Sequence, residues 1–551
     1  VDPLRWLAHT CAQLGAQEEG VRAVKESLER IGYPGNGYWG RPLAPKVLGT
    51  ALMVLHRFQE YGLLAEVAAE HLRRFPRNPE AVMAGGVALA ELGRFEEAEP
   101  LLREALLHPA NAADAEEIAF SLGVALAKQA KWSEAAGVLT TLLAKDPYFA
   151  KAYHQLGLVF SRLGRPREAE AMHATSRELA PSEREMRREI EMRGAGEPGR
   201  AAAARALALT LRGEPGEAER TLRAGDLRDD PYAVFALADF YIEALRASDA
   251  ERVLAQGEKL TGPGHDDVLG RRALVLELRG ERERAFAILR SLTSREGAAS
   301  FWKTTFARLL IEERRLDEAV KILEPAAKTG IDQAAAHFLG RALLEKGEAA
   351  RALQVLRAVS PGDTRWRSWD AGAWLARAYL ETDSNADEAD GLLREAAPSS
   401  RSARAHLLAR AMLAERRAAT GDAAAAGEAR EARAALERSD SIEPSVAALR
   451  RRIAAAAWPG SGPLYLSLAR LVASRGDTRG AVRLGRLALA AEPRSAEVLR
   501  SLEGWLREDG DVFFRLRALR DLLEVSPGDE AAREAIREIE SRWLAPAGTS
   551  P

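Results

Sequence analysis

The stretch AKAYHQLGLVFSRLGRPREAEAMHATSRELAP, Ala150 to Pro181, decides the fold. Tyr153, Leu156, Gly157 and Phe160 fall on one face of a first helix, and Ala169 sits on a second. Gly164 between them suits the left-handed turn that ends a helix. Pro181 is expected to break the second helix before another unit begins. The small Gly157 lets the two helices approach closely, and Ala169 is expected to face it. One such hairpin cannot bury its apolar face alone, so neighbours must stack on it.

The same landmarks return along the chain at a spacing of roughly 34 residues. Gly86, Leu89, Ala98, Leu102 and Ala105 precede the stretch, as do Leu122, Gly123, Leu126, Ala135, Leu139 and Pro147. Leu339, Gly340, Leu343, Ala352 and Leu356 follow it, and later Tyr465, Leu468, Ala469, Ala481, Ala488 and Pro493. Inter-helix turns are expected at Gly93, Gly164, Gly213, Gly280, Gly347, Gly476 and Gly510. The order large-x2-Leu-Gly-x2-aromatic, then Ala, then Pro resembles the tetratricopeptide repeat. The resemblance covers nearly the whole chain and implies an all-α, right-handed superhelical α-solenoid of about fourteen helix-turn-helix units. Their starts fall near Val1, Lys46, Pro79, Glu116, Ala150, Gly199, Pro231, Asp266, Ser300, Gln333, Trp369, Leu407, Gly462 and Ala496. Ala532, Ile536, Ile539 and Trp543, at helical spacing within Asp529 to Leu544, read as a C-terminal capping helix.

Breaks in the period suggest how the chain is divided. Residues 1–182 read as an N-terminal array interrupted by a Gly- and Pro-rich loop at 33–45. Within that loop Gly35, Gly37 and Gly40 spell G-x-G-x-x-G, but no strand precedes them, so a dinucleotide site is not supported. Residues 183–199 read as a charged helix extension and a Gly/Pro joint, and 200–400 as a central array. Residues 401–461 read as an atypical pair of long helices and a linker, with one helix over Ser402 to Thr420 and a second from Ala423 towards Leu436. Residues 462–551 read as a C-terminal pair of units with the cap. In Thr261 to His265 a short loop precedes Asp266, which is expected to cap the next helix.

Bulk properties narrow the function. Of 551 residues, 79 are basic and 81 acidic, a formal net charge of −2 that argues against nucleic acid as an electrostatic partner. No apolar run approaches a membrane span, so no membrane insertion is expected. Cys11 is the only cysteine, which excludes an intrachain disulfide and a cysteine-based metal cluster. Both cytoplasm and periplasm fit; the cytoplasm is favoured, and the periplasm requires an upstream signal that has been removed. The chain begins with Val1, which fits either an alternative start codon or an omitted upstream segment. There is no G-x-x-x-x-G-K-[ST] loop, no G-x-S-x-G elbow and no H-E-x-x-H helix. The expectation is therefore a non-enzymatic protein with no catalytic residue, cofactor or metal.

The resemblance implies that first helices line a groove, with the residue after the small position pointing into it. That residue is Arg308, Arg341 and Arg377 in successive units, and Arg470 later. Arginine forks suit carboxylates, so an acidic protein or peptide is a candidate partner, and an anionic glycan an alternative. Pairing with Glu312, Glu345 and Glu381 on the same helices is the competing reading. Trp366 and Trp369, set beside Arg365 and Arg367 and followed by Trp374, are a second candidate surface that, if exposed, would stack on a sugar or a base, and if buried wedges two units apart. Lys151 and His154, with Arg162, are a third, and Tyr38 and Trp39 in the early loop a fourth. The Lys/Asn carboxylate clamp of some relatives finds no match, since the early positions carry Arg5 with His9 and Thr50 with Val54. The resulting expectation is a scaffold that binds partner proteins through groove and loops. The alternatives are an envelope scaffold of a bacterial polysaccharide or protein export system, and a targeting segment of a larger enzyme.

Overall fold

The computed structural model describes residues 17–31, 33, 44–109, 111–295, 297–327, 332–359, 371–395 and 404–544. These residues form helices and their connections, without a strand. In chain order the helices begin with α1 Gln17–Ile31, α2 Ala44–Arg57, α3 Tyr61–Arg74, α4 Pro79–Glu91, α5 Phe95–Leu107, α6 Ala112–Lys128, α7 Trp132–Lys145, α8 Ala150–Arg162, α9 Pro166–Gly194 and α10 Pro198–Arg212. There follow α11 Pro215–Leu222, α12 Pro231–Glu243, α13 Ala247–Thr261, α14 Asp266–Leu278, α15 Arg282–Thr293, α16 Ser300–Glu312, α17 Leu316–Ala327, α18 Gln333–Glu345 and α19 Ala349–Arg357. The last are α20 Ala371–Glu381, α21 Ala386–Glu395, α22 Arg404–Ala419, α23 Ala423–Ala455, α24 Gly462–Ser474, α25 Thr478–Ala491, α26 Ala496–Asp509, α27 Val512–Val525 and α28 Glu530–Trp543. No helix among the described residues is long and apolar enough to cross a membrane.

The chain is an all-α array of tetratricopeptide-like hairpins. First helices pack on the second helix of their own hairpin, and many also on the first helix of the next, as α4 does on α6, α6 on α8, α16 on α18 and α18 on α20. The glycines after the leucines are needed for this contact. A Cβ on Gly340 would lie 2.4 Å from Leu356, one on Gly123 2.6 Å from Leu139, and one on Gly157 2.5 Å from His173. The nearest side chain thus stands one turn beyond the expected alanines: Ala352, Ala135 and Ala169 are buried, but their i+4 neighbours fill the space over the glycine.

All seven turn glycines have positive φ, from 72° at Gly164 to 89° at Gly476. Gln59, Ala130, Leu245, Arg314 and Asp383 make the same turn at φ 54–60° without glycine. The hydrogen bonds repeat as well. The residue after the turn position bonds back five residues, as in Arg94 N to Leu89 O at 2.8 Å and Lys131 N to Leu126 O at 2.9 Å. The turn is therefore fixed by the helix end, and glycine only relieves its strain.

Three local expectations differ from the structure. Helix α9 does not stop at Pro181 but runs on to Gly194. A proline inside a helix costs about 3 kcal/mol, yet the buried face continues past it through Ser182 and Glu189, and the helix packs on α10. Helix α23 likewise passes Leu436 and Pro444 to reach Ala455, burying Ala432, Leu436, Val446 and Ile453 on the way. The cap of α14 is His265, not Asp266: its Nδ1 accepts from Asp267 N at 3.3 Å, while Asp266 is helical and pairs with Arg295.

The chain divides into two compact units, residues 1–212 with 510–551, and residues 213–509. In the first unit α27 and α28 pack on the hairpins of the early chain. Tyr148 meets Phe514 with ring centroids 4.9 Å apart, Tyr153 meets Phe513 at 5.8 Å, and Phe160 meets Trp543 at 5.7 Å. Arg165 lies 5.6 Å over the Trp543 ring. The capping helix thus shields the aromatic face of α8.

In the second unit the end also meets the beginning. Helix α23 touches α13 and α14, and α25 touches α11. The joint is built around the buried Arg246, which lies 4.4 Å over Tyr241 and 4.1 Å over Trp458. Its guanidinium binds Glu219 and Asp249, each at 2.6 Å. The hydroxyl of Tyr465 donates to the carbonyl of Ala244.

Candidate functional site

The first helices of the second unit carry a row of charged residues in one register. The residue after each small position is Asp239 in α12, Arg271 in α14, Arg308 in α16, Arg341 in α18 and Arg377 in α20. Packing of α12 on α14, of α16 on α18 and of α18 on α20 brings neighbouring members of this row together. Arg271 binds Asp239 with both fork nitrogens at 2.8 Å, and Asp267 at 2.9 Å. It also lies 4.8 Å over Phe235 and 5.6 Å over Trp302. Neither Asp239 nor Arg271 was read from the sequence as part of the row. Gly270 immediately before Arg271 was the available signal, matching Gly340 before Arg341.

The three expected arginines each bond the acid one turn on. Arg308 meets Glu312 at 2.9 Å, Arg341 meets Glu345 at 3.1 Å, and Arg377 meets Glu381 at 2.5 Å. Trp374 joins two of them: its ring lies 5.2 Å from the Arg341 guanidinium and 5.5 Å from that of Arg377. The result is a cation–aromatic–cation stack with acids along its edge. Arg308 is the most open of the three, with 37% of its side-chain surface accessible against 15% for Arg377.

Burial raises the pKa of Asp239, with the Arg271 charge opposing it, although 40% of that side chain is accessible. Both hold for a carboxylate in a recess, where water reaches the oxygens but protein surrounds them. Burial likewise raises Glu243, helped by Asp239, and Glu277, helped by Glu312 and opposed by Arg308 and Arg450. The row is therefore of mixed sign. It can receive a ligand that offers carboxylates to the arginines and donors to the acids, with a flat group over Trp374.

The remaining expected residues are scattered. Arg470, in α24, binds Glu497 at 2.7 Å. Lys151 and His154 are exposed on α8 in the first unit, and the His154 ring lies 5.4 Å from that of His173. Arg162 lies 6.0 Å over Trp132. Tyr38, Trp39, Trp366 and Trp369 lie outside the described residues. Among the described residues no group of three or more His, Cys, Asp and Glu is placed to hold a metal ion.

Comparison with known proteins finds one matching segment and several similar solved structures. Residues 78–157, spanning α4 to α7 and part of α8, match the family described as T7SS, ESX-1 secretion system protein EccA1, N-terminal domain. A search of the curated proteins finds no match. Among solved structures, the APC/C hetero-tetramer Cut9–Hcn1 is similar at 13% identity over 97% of this chain and 96% of that one, with a TM-score of 0.33. Yeast Tom70 is similar at 14% identity over 78% of this chain and 98% of its own, with a TM-score of 0.34. Naa15/Naa10 bound to HypK-THB is similar at 14% identity over 98% of this chain and 96% of that one, with a TM-score of 0.22.

Proposed function

We propose that the protein is a non-enzymatic scaffold that captures partner proteins on the first-helix row of its second unit. The observation that carries this reading is the Arg341–Trp374–Arg377 stack. Two guanidinium groups are held by intrahelical acids, and an indole face lies against them, before any ligand arrives. A preformed surface lowers the ordering cost of binding, and arginine and tryptophan are the residue types enriched among binding hot spots. Arg308 extends the same surface by one hairpin. The partner is a protein segment that docks on rigid helices, with carboxylates to compete for the arginines.

The test is affinity capture with the purified chain, read by mass spectrometry, against a variant carrying Arg308→Gln, Arg341→Gln and Arg377→Gln. Glutamine keeps the helices and removes the charge. Partners held by wild type and lost by the variant support the row. An unchanged set of partners rules it out.

A second reading has a specific support. The match of residues 78–157 to an N-terminal domain of a secretion-system protein favours a scaffold within a protein-export apparatus. It also suits a targeting segment that serves a larger machine. Recovery of export components among the captured partners would separate this from a general scaffold.

A further inference from the structure

A second surface of unit 2 lies away from the first-helix row. A cleft of about 980 Å³ opens between second helices α15 and α17, with the start of α16 between them. None of Arg308, Arg341 and Arg377 lines it. Ile322, Pro325 and Ala326 give it an apolar floor, with Phe306 fully buried beneath.

Its acids are already engaged. Glu318 takes Arg315 Nε at 2.7 Å and Arg290 at 3.4 Å. Asp332 caps α18 through Ala335 N at 2.9 Å and accepts the Ser300 hydroxyl. Two cations in the wall are not engaged: the ammonium groups of Lys303 and Lys321 have no hydrogen-bond or ion-pair partner among the described residues. For Lys321 this is notable, because acids stand at helical spacing on both sides. Asp317 is taken by Lys346 at 2.8 Å and Glu324 by Arg351 at 2.7 Å. The acids of α17 thus face other partners, and the Lys321 side chain is left to the cleft.

We propose that this cleft docks an acidic peptide segment of a partner protein, with an apolar side chain on Ile322 and Pro325 and carboxylates on Lys303 and Lys321. The volume stands at the upper end of the range of ligand pockets, about 300–1,000 Å³, which suits several side chains. A small anion would satisfy the lysines and leave the apolar floor bare. The site rests on the scaffold reading for the existence of a protein partner, but it shares no residue with the first-helix row.

The probe is a fluorescein-labelled octapeptide alternating Glu and Leu, titrated against the full chain by anisotropy. Controls are a Glu/Ser octapeptide and inorganic phosphate as competitor. Saturable binding of the Glu/Leu peptide is expected, weakened about tenfold or more by Lys303→Glu with Lys321→Glu. The gentler Lys303→Gln with Lys321→Gln should weaken it in the same direction. Both lysines should be shielded from amine acetylation when the peptide is bound. Absence of saturable binding, equal affinity in the lysine variants, equal binding of the Glu/Ser peptide or displacement by phosphate would each overturn the site. Peptide binding that survives Arg308→Gln, Arg341→Gln and Arg377→Gln, while partner capture by that variant is unchanged, leaves the cleft standing and removes the row.

Discussion

Replacing Gly340 with alanine tests how the hairpins hold together. A Cβ there would stand 2.4 Å from Leu356 Cγ, where carbon atoms normally meet at about 3.5–4.0 Å. Leu356 is fully buried, with Leu339, Leu343 and Leu353 in the same core, so it has little room to withdraw. Overpacking of this kind costs about 1–3 kcal/mol, while alanine gains about 1 kcal/mol over glycine in a helix interior. The gain can be removed by comparison with Gly391→Ala in α21, where nothing lies within 4 Å of the added carbon. The propensity term is common to both variants, so their difference isolates the clash at about 1–3 kcal/mol. Gly391→Ala should stabilise, and Gly340→Ala should fall below it by that amount. The measurement is urea unfolding followed by circular dichroism, with amide exchange in α18 and α19 as a local readout. A Gly340→Ala protein as stable as Gly391→Ala would refute the close-approach account.

Ala130, exposed and at φ 60°, should gain about 0.5–1 kcal/mol on replacement by glycine, through relief of turn strain; a lower urea midpoint would count against this. Trp543→Ala should destabilise the first unit by about 2 kcal/mol, less than the 3–5 typical of a fully buried aromatic, and should speed amide exchange in α8 as well as α28. Exchange that rises in α28 alone would contradict the packing on Phe160. The buried His337 is pushed down to about 3 by burial and by Arg341, so the folded unit stays neutral there while an unfolded chain takes up a proton. Stability of the second unit should therefore fall as pH drops below about 6.5, and His337→Phe should flatten that acid limb in urea titrations. The His56 pKa is raised chiefly by its hydrogen bond to Glu117. Its contribution is full below the ordinary histidine value and is lost as pH rises through the raised one; His56→Gln should remove that step, seen as a pH-independent midpoint on the alkaline side.

Hairpins were legible in the sequence because they depend on contacts within one period. Gly93, Gly164 and Gly347 announce their turns, and Gly340 announces a close approach, by type and spacing alone. Ala130 and Leu245 make the same turn silently, because the hydrogen bonds of the helix end can impose positive φ on an ordinary residue. Pro181 misled for the opposite reason. Its local cost is outweighed by packing along a face, which one position does not reveal. The site was half legible. Arg308, Arg341 and Arg377 share a register that can be counted, but their bonding to Glu312, Glu345 and Glu381 depends on rotamers, which spacing does not fix. The stacking of Trp374 depends on a rotamer and a neighbouring helix. The docking of Phe513 and Trp543 on Tyr153 and Phe160 joins residues hundreds apart, and no periodic signal encodes it.

That docking sets an order on biosynthesis. The aromatic face of α8 leaves the ribosome before any of residues 213–509, yet its cover, α27 and α28, follows all of them. At about 5–20 residues per second the wait is on the order of 15–60 s. Throughout it Tyr153 and Phe160 lack their final neighbours, so the nascent chain presents a sticky surface for which a chaperone is the natural temporary companion.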